Sequence, residues 1–285
     1  MIYIADTRTI RKVTDAGVVT TLAGDATQSG SADGTGSAAR FAGCRGICIA
    51  PNGDLFVTDR GATGSVGTVR KVTQAGVVTT IAGSPTQGGS TDGTGSAARF
   101  LNPYGIAIAP GGDLFVCDFS NSTIRRVTQA GVVTTFAGSA GNQGSQNGTG
   151  TSALFSCAFG IAIDSSGNLF VAETNGTQPN NFTIRQITPS AVVTTFAGSF
   201  GQSGTTDGTG SAARFTNPKG LTIDSSGNLF LVDGTKIRKI TPGAVVTTVG
   251  GTQGELVNPY GLAVNSTGKI YIADTDNYVL REQQT

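Results

Sequence analysis

The stretch at residues 105–138, GIAIAPGGDLFVCDFSNSTIRRVTQAGVVTTFAG, reads as four short strands parted by turns, and the chain repeats it. Its fourth strand recurs as GVVTTLAG (residues 17–24), GVVTTIAG (76–83), GVVTTFAG (131–138), AVVTTFAG (191–198) and AVVTTVGG (244–251). Its second strand recurs as MIYIAD (1–6), DLFVTD (54–59), DLFVCD (113–118), NLFVAE (168–173), NLFLVD (228–233) and KIYIAD (269–274). Self-similarity at this spacing decides the architecture before any single residue is considered.

First strands open at Gly46, Gly105, Gly160, Gly220 and Gly261, so repeats run at 46–83, 105–138, 160–198 and 220–251, flanked by partial repeats at 1–24 and 261–285. The last step is about 40 residues, the size of a bare four-stranded propeller blade, and the longer steps carry an insert. The first-to-second turn is PNGD, PGGD, SSGN or STGK, each with a glycine for the φ > 0 position of a tight hairpin. First strands are apolar almost throughout, as strands buried on both faces are. Fourth strands end in Thr-Thr, which suits an outer edge with one face in solvent. Four antiparallel strands graded from buried to exposed and repeated around a ring make an all-β propeller, here one domain spanning 1–285. Ile47, Ile106, Ile161, Leu221 and Leu262 are the expected inner-strand core.

The termini supply strands two to four and strands one to three. Either they form two incomplete blades in a ring of six, or residues 17–23 complete the last blade in a ring of five. The six-bladed form, with incomplete terminal blades, is the reading adopted. Exposed strand edges there would be sites of homo-association, into an oligomer or a filament.

The insert reads SADGTGSAARF (31–41), STDGTGSAARF (90–100), TTDGTGSAARF (205–215) and, degenerately, SQNGTGTSALF (145–155). DGTG is a turn signal. Ser37, Ser96 and Ser211 are placed to N-cap a helical turn, Ala-Ala-Arg-Phe, whose Phe pins it to the blade.

Charged residues make up 13% of the chain, about half the ordinary share, and its 43 glycines are about twice the ordinary share. A formal net charge of +1 gives no large drive toward nucleic acid or an anionic membrane. No apolar run of membrane-spanning length occurs. Met1 opens on a repeat strand without a signal-peptide pattern, as expected of a mature or a cytosolic chain. The low charge and the Thr/Ser/Asn/Gly surface lean toward an extracellular or cell-surface protein. Cys44, Cys48, Cys117 and Cys157 form no CxxC pair. Buried free thiols are the favoured reading. A Cys44–Cys157 bridge is the sharper alternative, although it would join positions two repeats apart.

The units NPYGIAIAPGGDLFVCDFSNSTIRRVT (102–128) and NPYGLAVNSTGKIYIADTDNYVLRE (258–282) resemble NHL repeats, and the resemblance runs over essentially the whole chain. The DGTGSAARF–NPxG–VVTTxAG variant is similar to the long NHL repeats of bacterial secreted and surface proteins. The resemblance implies a propeller but no single activity, since such propellers include protein-binding and RNA-binding domains, an amidating lyase and lactonase-type relatives.

The chain has no histidine, which removes Ser-His-Asp and Cys-His arrangements and His-ligated metals. Strand direction places two sets of residues on one face near the channel, together with the insert. One is the carboxylates ending the second strands: Asp6, Asp59, Asp118, Glu173, Asp233 and Asp274. They invite a metal, Ca²⁺ among the candidates, or an acid–base pair. Recurrence in every repeat favours a turn-stabilising role instead, with Glu173 and its longer loop, TNGTQPNNFT, the place to look for an exception. Asp33, Asp92 and Asp207 of DGTG resemble calcium-loop fragments but lack alternating acidic ligands, and Asn147 replaces one of them, so a structural turn is favoured.

The other set precedes the first-strand glycines and varies: Arg45, Tyr104, Phe159, Lys219 and Tyr260. Two cations and three aromatics suit stacking on a sugar or holding a peptide. A position that merely tolerates large side chains would look the same. The cations of the third strands (Arg11, Arg70, Arg125, Arg238) read as a solvated outer flank rather than an RNA platform. The expectation is therefore a non-catalytic, cofactor-free binding or self-assembling propeller taking a protein, peptide or glycan. The alternatives are a metal-dependent lactonase- or hydrolase-like enzyme and, less favoured, a nucleic-acid binder.

Overall fold

A computed structural model describes residues 1–61, 64–174, 181–251 and 256–284. The fold is an all-β propeller of six antiparallel sheets, its blades, in two compact units, Met1–Phe136 and Ala137–Thr285. Among the described residues no helix is long and apolar enough to cross a membrane.

The first unit opens with a three-stranded blade, Ile2–Asp6, Thr9–Val13 and Val19–Gly24. Blade 2 runs from its inner strand Cys44–Ile49 through Leu55–Arg60 and Gly67–Val72 to Val77–Ser84. Blade 3 is Pro103–Ile108, Leu114–Asp118, Thr123–Val127 and Val132–Ala137. The second unit holds blade 4 (Ala158–Ile163, Leu169–Glu173, Thr183–Ile187, Val192–Gly198) and blade 5 (Pro218–Ile223, Leu229–Asp233, Lys236–Ile240, Val245–Gly250). Blade 6 has three strands, Pro259–Val264, Ile270–Asp274 and Val279–Gln283. Residues 17–23 do not complete blade 6: Val19–Gly24 pairs with Thr9–Val13, which excludes the five-bladed arrangement.

Local chemistry sets these hairpins. Gly53, Gly112, Gly167, Gly227 and Gly268 all turn at φ between 80° and 90°, where a side chain would be strained. Interblade cores follow the strand alternation. In the first unit Ile10, Phe41, Leu55 and Val78 form one cluster, and Phe56, Phe100, Leu114 and Val133 form the next. In the second unit Phe170, Phe215, Leu231 and Val246 pack between blades 4 and 5, and Phe230, Leu256 and Ile272 between blades 5 and 6.

The inserts correct two expectations. Their Gly-Thr pairs (Gly34–Thr35, Gly93–Thr94, Gly148–Thr149, Gly208–Thr209) add a two-residue fifth strand outside the fourth strand of blades 2–5, so the Thr-Thr strand is not the edge there. The following turn is a 3₁₀ turn, Gly36–Ala38 in the first copy, with Ser37 inside it. Thr35 stands at the N-cap position and makes no side-chain cap bond. Ser96 and Ser211 sit likewise inside Gly95–Ala97 and Gly210–Ala212. Phe41, Phe100, Phe155 and Phe215 do pin the inserts, each fully buried.

Inner strands carry a shared device. A Cβ built on Gly46 would stand 2.4 Å from the Tyr104 carbonyl oxygen. On Gly160 it would stand 2.1 Å from that of Lys219, and on Gly220 2.3 Å from that of Tyr260. The absent side chain lets neighbouring inner strands touch backbone to backbone. Ile106, Ile161 and Leu221 are buried as expected, whereas Ile47 and Leu262 are only half-buried. Blade 1 has no inner strand of its own to lie over Ile47, and within its unit the strand bearing Leu262 has an inner-strand neighbour only in blade 5.

Candidate functional site

The second-strand carboxylates and the third-strand arginines must be taken together, because the structure joins them. Arg70, Arg125, Arg185 and Arg238 are fully buried, correcting the expectation of a solvated flank at Arg70, Arg125 and Arg238, while Arg11 is half-buried. Blade 3 shows the wiring. Arg125 Nη1 donates to Asp118 Oδ2 (2.9 Å) and to the Arg99 carbonyl (2.9 Å). Its Nη2 donates to Asp92 Oδ1 of the insert (2.7 Å) and to the Thr91 carbonyl (3.2 Å). Its guanidinium carbon lies 5.3 Å from the Phe100 ring centroid. The same set joins Arg70 to Asp59, Asp33 and Phe41, and Arg238 to Asp233, Asp207 and Phe215.

The carboxylates accept backbone N–H bonds as well: Asp59 from Ala42 and Gly43, Asp118 from Leu101, Asp233 from Thr216 and Asn217, and Asp274 from Val257. Burial pushes the Asp59 and Asp118 carboxyls up to about 6, against the opposing pull of Gly43 N–H and Arg70 at one and of Asn121 and Arg125 at the other. Burial likewise pushes Glu173 up, against Arg185.

Glu173 and Asn147 occur in the same blade, and both departures are absorbed there. Glu173 takes Arg185 Nη1 (3.1 Å), Asn181 Nδ2 (2.7 Å), Thr183 Oγ1 (2.9 Å) and Ser156 N (2.6 Å). Asn147 Oδ1 accepts from Arg185 Nη2 at 2.9 Å. Residues 175–180 of the loop that follows lie outside the described residues. Asp6 ends the second strand of blade 1 in an exposed position. The insert aspartates also bind the second Thr of VVTT: Asp33 accepts from Thr80 N and Oγ1, and Asp207 from Thr248 N and Oγ1. Among the described residues no three His, Cys, Asp or Glu side chains gather as a metal-binding group. None of Cys44, Cys48, Cys117 and Cys157 is in a disulfide, so the Cys44–Cys157 bridge is not formed.

The varying set has a different character. In five blades the inner-to-second strand ladder slips at this point: between Cys44 and Ile47, Pro103 and Ile106, Ala158 and Gly160, Pro218 and Leu221, and Pro259 and Leu262. Such irregularities re-aim a side chain away from the regular ladder. In the first unit the Arg45 guanidinium carbon lies 5.1 Å from the Tyr104 ring centroid, and Tyr104 packs on Phe119 with centroids 4.9 Å apart. In the second unit Lys219 Nζ sits 4.0 Å from the Tyr260 centroid and donates to Asn258 Oδ1 at 2.7 Å. Phe159 meets the same Tyr260 ring at 5.6 Å. Burial lowers the Lys219 pKa, with Asp276 pulling the other way.

Phe119, Asn258, Arg185 and Arg281 escaped the sequence reading. The two arginines are legible by register, since TIRQI aligns with TIRRV, but neither stands in a doubled cation: Gln186 follows Arg185 and Glu282 follows Arg281. Asn258 was legible as the first letter of NPYG.

Residues 200–256 match the family described as the teneurin NHL domain. Teneurin-3 of Danio rerio is 28% identical over 196 residues, covering 63% of this chain and 7% of its own length. Human teneurin-1 is 49% identical over 47 residues, covering 16% of this chain and 2% of its own. The chain thus spans less than a tenth of these relatives. Among solved structures, an auxiliary nutrient binding protein from Bacteroides thetaiotaomicron superposes at a TM-score of 0.70 with 16% identity, over 98% of this chain and 65% of that one. Virginiamycin B lyase from Staphylococcus aureus superposes at 0.56 with 17% identity, over 99% and 80%. A gluconolactonase from Xanthomonas campestris reaches 0.61 with 13% identity, over 93% and 75%. At such identities these likenesses speak to the fold alone.

Proposed function

Since the chain is an NHL-repeat β-propeller, we propose that it is a non-catalytic binding domain of the extracellular space or cell surface, taking a protein, peptide or glycan on the residues that precede its inner-strand glycines. The division of labour among polar groups carries this reading. The described carboxylates at the second-strand ends of blades 2–6 are each held by an arginine and by backbone N–H groups, which supports a structural role for them in their blades. No histidine stands in for them. The lyase and lactonase likenesses speak to the scaffold alone.

The groups set off the regular ladder are a cation on an aromatic ring in each unit: Arg45 with Tyr104, and Lys219 with Tyr260 beside Phe159. Rings of this kind offer a stacking face to a sugar or a side chain, and the cation adds an attraction for an anionic group. The low charge and polar surface suit an extracellular setting.

The test is a glycan and peptide array probed with the whole chain, followed by titration of any hit. Lys219→Ala and Tyr260→Ala should each weaken binding by about tenfold or more, roughly 1.4 kcal/mol. Arg126→Ala, at an exposed pair with Asp113, should leave it unchanged. Binding indifferent to Arg45, Tyr104, Lys219 and Tyr260 would overturn the assignment, as would turnover of a lactone or ester abolished by changing Glu173 or Asp118.

A further inference from the structure

Among the described residues five cationic side chains are buried, and four of them are matched by a carboxylate. Arg70 reaches Asp59 at 3.2 Å, Arg125 reaches Asp118 at 2.9 Å, Arg185 reaches Glu173 at 3.1 Å and Arg238 reaches Asp233 at 2.9 Å. The fifth is Lys219, 9% exposed, and among the described residues it forms no ion pair. Its inner strand, Pro218–Ile223, is walled by another inner strand on each side, Ala158–Ile163 and Pro259–Val264. The ammonium carries three N–H donors, and one of them goes to Asn258 Oδ1 at 2.7 Å. The charge also rests 4.0 Å from the Tyr260 ring centroid. A ring and a neutral amide offset only part of the cost of taking a charge out of water. Burial accordingly lowers the Lys219 pKa, while Asp276, in the exposed turn Thr275–Asn277, pulls it the other way without forming an ion pair.

We propose, resting on the ligand-face reading above, that Lys219 is the receptor for one carboxylate of an acidic peptide, a glutamate side chain that enters as the counter-ion this buried cation lacks. The two N–H groups not spent on Asn258 are the donors for it, and charge-assisted hydrogen bonds in a sheltered site are the strong ones. Depth decides the carrier. Lys219 and Phe159 are each only 9% exposed, and Phe159 closes on the Tyr260 ring at 5.6 Å, so the anion has to reach inward. The two methylenes of a glutamate carry its carboxylate in while the peptide backbone stays outside. A uronate holds its carboxylate directly on the sugar ring, and the ring would have to enter with it. Asp276 limits the charge that can follow, because a like charge close by is unfavourable, which disfavours a dense polyanion. The carboxylate is therefore the feature read, and glutamine, with the same shape and no charge, is the ligand rejected.

The test follows the Lys219 side-chain resonance of the whole chain, labelled with ¹³C at lysine, the signal being assigned by its loss in Lys219→Met. The probes are the peptides acetyl-Ser-Gly-Glu-Gly-Ser-amide and acetyl-Ser-Gly-Gln-Gly-Ser-amide, with glucuronate as the sugar acid. Because the decisive comparison is made between ligands on the parent chain, folding of a variant is not at issue. The Glu peptide should shift the Lys219 signal saturably and bind about tenfold or more tighter than the Gln peptide and than glucuronate. Lys219→Arg should keep the preference for Glu over Gln, and Lys219→Met should abolish it. Absence of a saturable shift, or equal affinity for the Glu and Gln peptides, would overturn the proposal. So would glucuronate binding as tightly as the Glu peptide. The two readings fail separately: peptides bound alike but both weakened by Tyr260→Ala would retain the ligand face and remove the carboxylate receptor, whereas array ligands indifferent to Lys219 and Tyr260 would remove both.

Discussion

Gly160 and Gly261 occupy the same place in the repeat, and the structure assigns them opposite responses to alanine. Neither lies in the left-handed region, so backbone strain does not enter for either. At Gly160 a Cβ would stand 2.1 Å from the Lys219 carbonyl oxygen and 3.1 Å from the Leu221 nitrogen, both backbone atoms of the adjacent inner strand. Relief to an ordinary contact near 3.5 Å means moving that strand by about 1.4 Å, and no rotamer change can do it. Overpacking of this kind costs about 1–3 kcal/mol, and the backbone identity of the obstacle puts Gly160→Ala at the upper end. With a urea slope of about 3 kcal/mol per M, the midpoint should fall by about 1 M. At Gly261 the nearest atom would be Ala273 Cβ at 3.9 Å, an ordinary contact. Gly261→Ala should then be neutral, or stabilising by about 0.4–1 kcal/mol through the stiffer unfolded chain. Urea titrations followed by intrinsic tyrosine fluorescence and by far-ultraviolet circular dichroism would compare both variants with the parent. Equal midpoints for the two variants would refute the backbone-contact account of the inner strands.

Two further outcomes follow from the buried charges. Arg125→Met should lower stability by about 3–5 kcal/mol, since it strips Asp118 of its ion-pair partner inside the blade, whereas Arg126→Met, at an exposed pair with Asp113, should stay within about 0.5 kcal/mol. Equal midpoints in the same urea titration would contradict the buried wiring. Asp59 and Asp118 are pushed up to about 6, so the folded chain holds their protons more tightly than the unfolded chain does. Their contribution is complete below about pH 4 and is lost as pH rises through about 6. The urea midpoint should therefore fall from about pH 4.5 to about pH 7, and a midpoint that climbs through that interval would contradict it.

Strand number, order and turns were legible because each rests on near-neighbour signals: alternating apolar runs, a hairpin glycine, and a motif repeated five or six times. The arginine wiring was not, and the reason lies in distance. Arg70 and Asp33 are 37 residues apart, and Arg70 and Asp59 are 11 apart on different strands. No local window holds the set, so a pair such as Arg125-Arg126 reads as two surface cations. Alternation along the strand in fact divides it, Arg125 into the blade and Arg126 outward. Gly105 and Gly261 likewise share the letters NPYG, and nothing in them shows that an adjacent inner strand is within reach of Gly46, Gly160 and Gly220 but not of Gly261. The Thr-Thr edge was misjudged for a related reason. Hydroxyls that suit solvent also suit a carboxylate, and the insert that supplies Asp33 to Thr80 lies 47 residues earlier in the chain.

The same geometry explains how one repeat holds a demanding scaffold and a permissive surface side by side. At Gly46, Gly160 and Gly220 a backbone contact dictates the residue, because anything larger than hydrogen meets a carbonyl oxygen. One position earlier the ladder slips, and a residue released from regular cross-strand pairing is set by its surroundings rather than by the sheet. Arg45, Phe159, Lys219 and Tyr260 therefore differ without disturbing the hydrogen-bond ladder. The buried ion pairs complete the separation. Fixing each second-strand carboxylate to an arginine adds little net stability over an apolar pair of the same volume. It does lock the insert, through Asp33, Asp92, Asn147 or Asp207, to the third strand of its own blade. Those charges hold the inserts of blades 2–5 in place. On the function proposed above, recognition would fall to the cation–aromatic groups, which nothing in the scaffold prescribes.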